Sequence, residues 1–429
     1  MQQIITRRRA GQMLAATSTL AIPGGYWVAG SEAAQKKLPV AAAISVYHPF
    51  SHADVILGKL LAGWLQRGGP GPGLELVSVY VDQFPDNDMS RQLARKYGFR
   101  ITRTIDEAVT LGSDRVPVAG VLSIAEHGRY PVTPDTKQKR YPRRRFFDEI
   151  VGAMRRVEQF VPIFNDKHLG FRWDDALHMV NTARQHQIPL MAGSSLPVTW
   201  RYPAVELPIG DGVRDALVVG HSTSESYLFH ALEALQCIVE RRHGGETGVK
   251  AVRALRGPEI LAAEKRGDWS RELLKSALGA IDASTENLTA QIAQSGTVFF
   301  AIEYRDGLRA TAAMIPGAEG PMPPLYSCQL AVAVKRDAAA RPFACWLKTP
   351  GIPFRHFGQL LRGFERMLRT TSPVYPVERT LLTTGVLDRL LQSLYLHKGA
   401  RLETQELAIR YQPTQWGFAN RKGGLAVGG

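Results

Sequence analysis

Side chains that can exchange protons stand at three places where an apolar run of the sequence ends. Residues 47–54 (YHPFSHAD), Glu126 with His127, and residues 166–168 (Asp-Lys-His) each follow such a run. If the runs are parallel strands, their carboxyl ends meet at one edge of a sheet, which is where ligands bind in open α/β folds. The pattern therefore predicts one polar cleft that collects all three groups.

The residue types in this predicted cleft suit acid–base chemistry. The unperturbed pKa of histidine lies nearest to neutral pH, so histidine commonly carries protons in catalysis. Histidines and carboxylates together can also bind a divalent metal ion. His48 and His52 are four positions apart, but a helix that Ser51 caps would leave His48 outside it. A polar site for a sugar uses the same residue types, so we predict that use and no metal site.

The elements that must position these residues change in kind along the chain. Up to about Ser195, apolar runs alternate with helical patterns, which predicts a Rossmann-like, doubly wound parallel sheet. From about Trp200, a long helical pattern is followed by extended segments joined by short turns, which predicts an α+β domain with an open antiparallel sheet. We therefore expect a leader in residues 1–36, a dinucleotide-binding-type domain in residues 37–197 and a substrate or oligomerisation domain in residues 198–429.

The composition argues against several classes of protein. The 429 residues carry a formal net charge of +14, with the densest basic run at residues 137–145 (KQKRYPRRR). No zinc-finger spacing or aromatic-basic RNA motif accompanies the charge, so we predict no nucleic-acid partner. The three cysteines are too few and too scattered for a disulfide framework or a zinc site.

The first residues have the layout of an export signal. Three arginines at residues 7–9 precede a mildly apolar stretch, and small residues follow near residues 31–34. This order is typical of a twin-arginine signal, which predicts a periplasmic or exported protein. A basic tail on a cytoplasmic protein is the alternative. No segment approaches the length and apolarity of a membrane span, so we expect that the chain is not an integral membrane protein.

The order of the two domains, together with short motifs, resembles the glucose–fructose oxidoreductase / inositol dehydrogenase (Gfo/Idh/MocA) family. The family carries a Glu-Lys-Pro element after the fifth strand of its nucleotide domain, and Asp166-Lys167-His168 occupies that place here. The family also has an acid and a histidine on a helix of the second domain. Here the run SESYLFHALE holds His230, with Ser226 at the position of the acid. The resemblance implies that Lys167 and His230 form a catalytic acid–base pair.

The resemblance also implies which neighbouring residues contact the substrate. Glu225 lies one residue before the position of the family's acid. The element after the fifth strand adds His168, and the helix of the second domain adds Tyr227 and Glu233, the latter one turn after the histidine. We therefore expect substrate contacts from His168, Tyr227 and Glu233.

A third match concerns the cofactor. Asp82 ends the second apolar run (LVSVYVD), and an acidic residue there accepts the ribose hydroxyl of NAD. The same carboxylate repels the 2′-phosphate of NADP. The loop at residues 45–52 departs from the family because it has no glycine, and Ser45 and Tyr47 stand where glycines would let a pyrophosphate approach. The expected cofactor is NAD or NADP, with NAD favoured, or none if the altered loop no longer holds it. The implied cofactor contacts are Ser45, Tyr47, Asp82, Glu126, His127 and Asp166.

These inferences lead to three hypotheses for function. The first is an NAD(P)-dependent oxidoreductase of a sugar or polyol, in which hydride passes to the nicotinamide while Lys167 and His230 move protons. The second is a keto-sugar lyase, hydratase or epimerase, in which Lys167 and His230 move protons without net oxidation or reduction of the substrate. The third is a non-catalytic carbohydrate-binding protein on a degenerate dehydrogenase scaffold. Because the family often assembles through the sheet of its second domain, we also expect a homo-oligomer.

Overall fold

Two β-sheets and the helices around them account for most of the chain. The computed structural model describes residues 36–317, 329–337 and 339–420. The predicted export signal lies outside these residues. From Lys37 onward the chain forms one compact unit, so the predicted division near residue 197 stays a prediction.

The first half of the chain forms a sheet of six parallel strands in the order β3-β2-β1-β4-β5-β6. The strands are β1 (Leu38–Ile44), β2 (Leu74–Val81), β3 (Arg100–Thr102), β4 (Gly120–Ile124), β5 (Ile163–Asp166) and β6 (Leu190–Gly193). The order reverses between β1 and β4, as in Rossmann-type sheets, and this confirms the predicted parallel, doubly wound domain.

Helices cover both faces of this sheet. They are α1 (His52–Ala62), α2 (Ser90–Tyr97), α3 (Ile105–Thr110), α4 (Arg143–Arg156) and α5 (Trp173–Gln185). Because both faces are covered, the central strand β4 is buried along its whole length, which explains its continuous apolar run. Ser51 caps α1 as predicted, since its Oγ accepts the amide of Asp54 at 3.2 Å.

The second half forms a mixed, mostly antiparallel sheet of eight strands in the order β14-β9-β10-β11-β8-β12-β13-β7. The strands are β7 (Trp200–Tyr202), β8 (Val213–Gly220), β9 (Val249–Arg256), β10 (Val298–Tyr304), β11 (Arg309–Met314), β12 (Gln329–Arg336), β13 (Phe343–Lys348) and β14 (Leu402–Glu403). Strands β8 and β11 pair in parallel, and the other pairs are antiparallel. The α+β class predicted for this half is confirmed.

Helices lie on both faces of the second sheet. The helices of this half of the chain are α6 (Glu225–Val239), α7 (Pro258–Arg266), α8 (Arg271–Ala280), α9 (Leu288–Ile292), α10 (His356–Thr370) and α11 (Glu378–Tyr395). Helices α6 and α11 share the larger hydrophobic core with one face. Helices α7, α8 and α9 pack on the other face, where Trp269 meets Phe299 edge to face at 4.9 Å between ring centroids. This face is therefore partly covered by the chain itself, and assembly through it stays a prediction.

The last helices return to the first sheet and help to form the cleft. Helix α10 shares a core with β1 and α1, and α11 packs against α5 and α6. The amino end of α6 and the carboxyl ends of β1, β4 and β5 consequently face one another. No helix in the described part of the chain is long and apolar enough to cross a membrane.

Candidate active site at the carboxyl edge of the parallel sheet

A cleft of about 1120 Å³ lies between the carboxyl edge of the first sheet and α6. Its walls contain the three groups of polar residues that follow β1, β4 and β5, together with residues from α6 and from the start of α10. The predicted site residues that line it are Glu126, His127, Lys167, His168, Tyr227 and His230. The convergence expected from the strand ends is thus present.

Lys167 occupies the centre of this arrangement. Its Nζ lies 2.7 Å from Nε2 of His230, and it donates to Oγ of Ser226 at 2.9 Å. Its side chain is only 4% exposed, and its backbone has a φ of 71°. A left-handed backbone is costly for a lysine, but the amide of Lys167 is fixed by a 3.1 Å bond to the carbonyl of Gly193 on the neighbouring strand. The fold therefore holds the lysine head against the histidine.

His230 completes a chain of three hydrogen-bonding groups. Its Nδ1 lies 2.6 Å from Oγ of Ser194, in the turn after β6. Burial and the neighbouring Lys167 hold the pKa of His230 well below its usual value. Since Nε2 faces an amine donor, we assign the proton of the neutral ring to Nδ1, which then donates to Ser194. The ring can accept a proton at Nε2 whenever the lysine turns to another acceptor.

Glu126 and Arg143 form a buried ion pair beside the lysine. Nη2 of Arg143 donates to the carboxylate of Glu126, and Nζ of Lys167 lies 3.9 Å from the other oxygen. Burial alone would raise the pKa of Glu126, but Lys167 and Arg143 outweigh it and hold the pKa at about 2. Arg143 is 1% exposed, although it lies in the basic run at residues 137–145. No feature of the sequence separates it from the arginines that follow.

Histidines cluster on the other side of the cleft. Nδ1 of His52 lies 2.5 Å from a carboxylate oxygen of Asp166, which orients the imidazole. The ring of His127 lies 5.3 Å from that of His52 and 5.5 Å from that of His48. Burial and the nearby His52 lower the pKa of His127 to about 4, so its ring is neutral at physiological pH. Among the described residues, no group of three or more His, Cys, Asp or Glu is arranged to hold a metal ion.

The three predicted substrate contacts take different positions. Tyr227 lines the mouth of the cleft and is 37% exposed. His168 lies deeper, where its Nδ1 is 2.7 Å from the carbonyl of Gly170. Glu233 does not line the cleft, because its carboxylate points back along α6 to accept the amide of Ser194 and the hydroxyl of Thr383. Glu233 connects α6 to the turn after β6 and to α11, and its contact with a substrate stays a prediction.

The loop after β1 does not offer the grip that a dinucleotide needs. Oγ of Ser45 donates to the carbonyl of Glu126 at 2.5 Å, and both Ser45 and Tyr47 are fully buried. At the start of α1 a carboxylate oxygen of Asp54 accepts the amide of Phe50 at 2.9 Å. A pyrophosphate placed there would meet the carboxylate of Asp54, and the amides of Phe50 and Asp54 are already bonded to side chains. Ser45 and Tyr47 are thus packed in the interior, and their contact with a cofactor stays a prediction.

Asp82, the residue expected to bind the ribose, already accepts hydrogen bonds from side chains of the protein. The carboxylate of Asp82 accepts the hydroxyls of Tyr80 and Tyr130, each at 2.7 Å, and a guanidinium N–H of Arg145 at 2.5 Å. These donors occupy both carboxylate oxygens. Tyr130 comes from the segment between β4 and α4, and Arg145 lies in the first turn of α4. That segment is tied down further by reciprocal bonds between the Gln83 side chain and the backbone of Arg129. The residues present do not fit a dinucleotide in the position that the resemblance implies.

Comparisons with known proteins identify the fold. No family model and no curated protein sequence matches the chain. Among solved structures, GenD2 from gentamicin A biosynthesis, in complex with NAD, is 15% identical, with a TM-score of 0.52 over 90% of this chain and 99% of that one. A probable dehydrogenase from Thermotoga maritima is 11% identical, with a TM-score of 0.53 over 86% of this chain and 100% of that one. The fold is that of the Gfo/Idh/MocA-type dehydrogenases.

A third neighbour, a myo-inositol dehydrogenase from Corynebacterium glutamicum, is 12% identical, with a TM-score of 0.52 over 86% of this chain and 98% of that one. These matches confirm at the level of the fold the resemblance predicted from Lys167, His230 and the order of the domains. At identities this low a shared fold does not carry activity, so function has to be argued from the site itself.

Proposed function

We propose that this chain is an enzyme that transfers protons on a keto-sugar without net redox, as a lyase, hydratase or epimerase does. The observation that carries the proposal is the 2.7 Å contact between Nζ of Lys167 and Nε2 of His230 in a polar cleft. Removal of a proton next to a carbonyl needs one group that polarises the oxygen and one that takes the proton. Lys167 and His230 supply these two groups, and they are already joined by a hydrogen bond.

The contact suggests how the two groups divide the work. A substrate carbonyl oxygen that accepts an N–H from Lys167 replaces His230 as the partner of the lysine. Nε2 of His230 is then free to take the proton from the adjacent carbon, while the electron pair of the broken C–H bond moves into an enediolate whose oxygen stays bound to Lys167. Ser194 keeps its bond to Nδ1 and so stabilises the imidazolium that forms.

The rest of the cleft suits a sugar. Its walls combine hydroxyl, imidazole and lysine groups with aromatic rings at the mouth, including Phe50, Tyr227 and Tyr395. A sugar needs polar partners around its hydroxyl groups and apolar surface against its ring face. A volume of about 1120 Å³ slightly exceeds the range of about 300–1,000 Å³ typical of small-molecule sites.

An NAD(P)-dependent sugar or polyol oxidoreductase is the second candidate. The shared fold favours it, since one structural neighbour was solved with NAD. The side chains that fill the positions of the pyrophosphate and ribose argue against it. NAD is the better match of the two nucleotides if either binds, because Asp82 would repel a 2′-phosphate.

Proton exchange distinguishes the candidates. The purified protein is incubated with a panel of keto-sugars, aldoses and polyols in deuterated water, with and without NAD or NADP, and followed by NMR. Deuterium incorporation or elimination without added nucleotide is the expected result. Turnover only with nucleotide, accompanied by a change in nicotinamide absorbance, would establish the oxidoreductase. Sugar binding without any exchange would leave the carbohydrate-binding hypothesis.

We also propose that the protein is exported by the twin-arginine route. The support is the sequence order of arginines at residues 7–9, an apolar stretch and small residues. Cell fractionation tests this. The full chain is expected in the periplasm, and replacement of the three arginines by lysine should leave the protein in the cytoplasm. A full chain in the cytoplasm would indicate a cytoplasmic protein, and a variant that still reaches the periplasm would contradict the twin-arginine route.

A further inference from the structure

Glu225, the first residue of α6, has a buried carboxyl group at the wall of the cleft. Its side chain is 8% exposed. Oε2 accepts the backbone amide of Lys139 at 2.8 Å. The other oxygen, Oε1, is buried and finds no hydrogen-bond donor among the described residues. A carboxylate oxygen in this situation carries charge without compensation, which is costly.

The imidazole nitrogen that faces Oε1 is itself an acceptor. Nε2 of His168 lies 3.3 Å from Oε1 of Glu225. Nδ1 of His168 lies 2.7 Å from the carbonyl of Gly170, so Nδ1 carries the ring proton, and Nη1 of Arg143 approaches Nε2 at 3.2 Å. Burial and Arg143 hold the pKa of His168 well below its usual value, so a second ring proton is disfavoured. If Glu225 were ionised, a lone pair of its Oε1 would therefore face the lone pair of Nε2 of His168, and the two would repel each other.

The charges around Glu225 do not remove this conflict. Arg143 and Lys167 favour ionisation of the carboxyl group, but both also face Glu126, whose negative charge opposes it. Burial is the larger influence and raises the pKa of Glu225 to about 7. A proton on Oε1 satisfies the buried oxygen and presents an O–H to the imidazole or to the cleft.

We propose that Glu225 is a neutral carboxylic acid in the resting protein and serves as the proton donor in an elimination from a keto-sugar. The inference rests on the proposed function and narrows it from proton transfer in general to loss of water or an alcohol. Glu225 stands one residue before the family's acid, and Ser226 occupies that position and bonds Lys167 instead. Glu225 and His230 are five positions apart on α6, about 7.5 Å along the helix axis, which leaves room for sugar carbons between them.

The elimination balances without any added reagent. His230 takes the proton from the carbon next to the carbonyl, and the electron pair of that bond forms the enediolate held by Lys167. When the enediolate collapses, the bond between the next carbon and its oxygen breaks, and that oxygen leaves with the proton of Glu225. The product is an unsaturated keto-sugar plus water or an alcohol. Solvent then carries the proton from His230 back to Glu225.

Infrared difference spectroscopy tests the resting state without a substrate. The full chain, labelled with ¹³C on its glutamate carboxyl groups, is titrated from pH 5 to pH 9, beside Glu225→Gln and the control Glu75→Gln on the exposed surface of β2. We expect a labelled C=O band of a protonated acid that disappears with a midpoint near pH 7, is absent in Glu225→Gln and is present in Glu75→Gln. If Glu225→Gln removes no band, or if no labelled band titrates in this range, the proposal is wrong. The labelled wild-type chain alone shows whether a band titrates in this range, even if a variant does not fold.

A second measurement tests the role in catalysis. With the keto-sugar that exchanges deuterium most rapidly, Glu225→Gln should lower elimination by about 10²–10⁴-fold, and exchange at the adjacent carbon by much less. Glu75→Gln should change neither rate. Equal elimination by Glu225→Gln and the wild type would overturn the acid role. If the wild type exchanges no sugar at all, the proposed function fails, whereas the infrared titration still reports on Glu225.

Discussion

Lys167 and His230 are 63 positions apart in the sequence, and their reacting atoms are 2.7 Å apart in the fold. The lysine could be predicted because it follows a buried strand of a parallel sheet, where ligands bind. The histidine could be predicted only through the motif on α6, because nothing in the helix pattern shows which residue of α6 faces the first sheet. Ser194, the third member of the chain, lies in a turn whose path depends on the fold.

Removal of either member of the pair should slow proton transfer strongly. General acid–base groups typically contribute about 10²–10⁴-fold, so Lys167→Met and His230→Gln should each lose that much of the deuterium exchange rate. Because the two residues act on one proton transfer, the double variant should lose far less than the product of the single losses. NMR exchange rates check this, with Lys96→Met on the exposed part of α2 as the control. Multiplicative losses would mean that the residues act independently.

Buried charges were the part of the site that sequence patterns could not reveal. Arg143 belongs to a run of basic residues, and in a run of this kind solvated charges are the expected state. Arg143 can be buried because it pairs with Glu126. The loop between β4 and α4 brings the two residues together, and no periodic pattern in the sequence gives the path of that loop. Ser45 and Tyr47 were predicted as cofactor contacts from their alignment with missing glycines, but that alignment cannot show that their side chains turn inward.

The free energy of unfolding should depend on pH through the ionisation of Glu225. Its folded pKa of about 7 lies above the unfolded value of about 4.3, so protonation favours the folded state. This stabilisation is complete below about pH 4.3 and is lost as the pH rises to about 7. The loss approaches about 1.4 kcal/mol per pH unit for one proton. Relative to Glu225→Gln, the wild-type free energy of unfolding, measured by urea denaturation, should fall across this window. A constant difference between the two would contradict the raised pKa.

Helices α6 and α11 are joined by a buried ion pair that no periodic pattern predicts. Glu240 follows the last residue of α6, at the end where the helix dipole disfavours a negative charge. Its carboxylate accepts two N–H groups of Arg379 from α11, at 2.8 and 2.5 Å, and the hydroxyl of Tyr411 at 2.8 Å. These bonds compensate the charge and fix the angle between the two helices. The amphipathic patterns of α6 and α11 predict only that both are helices with one buried face.

Breaking this pair should destabilise the protein far more than breaking a surface pair. Arg379→Met leaves Glu240 buried without its cation, and such changes typically cost about 3–5 kcal/mol. Arg184→Met is the control, because Arg184 pairs with Glu378 while 54% exposed and should cost about 0–1 kcal/mol. The free energies of unfolding from urea denaturation provide the comparison. Similar small losses for both variants would show that water reaches Glu240.

In the whole molecule, the segment between β4 and α4 is bonded to the end of β2, where the resemblance places the ribose of a dinucleotide. The order of strands and helices could be predicted because alternating apolar runs repeat along the chain, and the shared fold confirms it. The contacts of Asp82 with Tyr130 and Arg145 could not be predicted, since they depend on one side chain from a Pro-rich loop and one from α4 that meet at the same carboxylate. Asp82 therefore holds the loop, where sequence reasoning expected it to hold a ribose.

Replacement of Asp82 should consequently affect stability and not nucleotide affinity. Asp82→Ala leaves two tyrosine hydroxyls and a guanidinium without their acceptor, and lost hydrogen bonds to a charged group cost about 1.5–3 kcal/mol each at most. We expect a clear loss of unfolding free energy and equal, weak NAD binding in calorimetric titrations of variant and wild type. Asp86→Ala, at an exposed neighbouring position, should change neither. Tight NAD binding that Asp82→Ala abolishes would restore Asp82 to a cofactor site.

The residues before β1 should be dispensable for folding. The first backbone bond of the sheet joins the amide of Leu38 to the carbonyl of Gly73, and the buried core begins at Val40. A chain that starts at Lys36 should therefore unfold, in calorimetry, within about 2 °C of the full chain, since about 1 kcal/mol shifts the midpoint by about 2–4 °C in domains of 150–250 residues. A chain that starts at Ser45 lacks β1, the central strand between β2 and β4, and should not fold. A much lower midpoint for the chain that starts at Lys36 would mean that the leader is part of the folded structure.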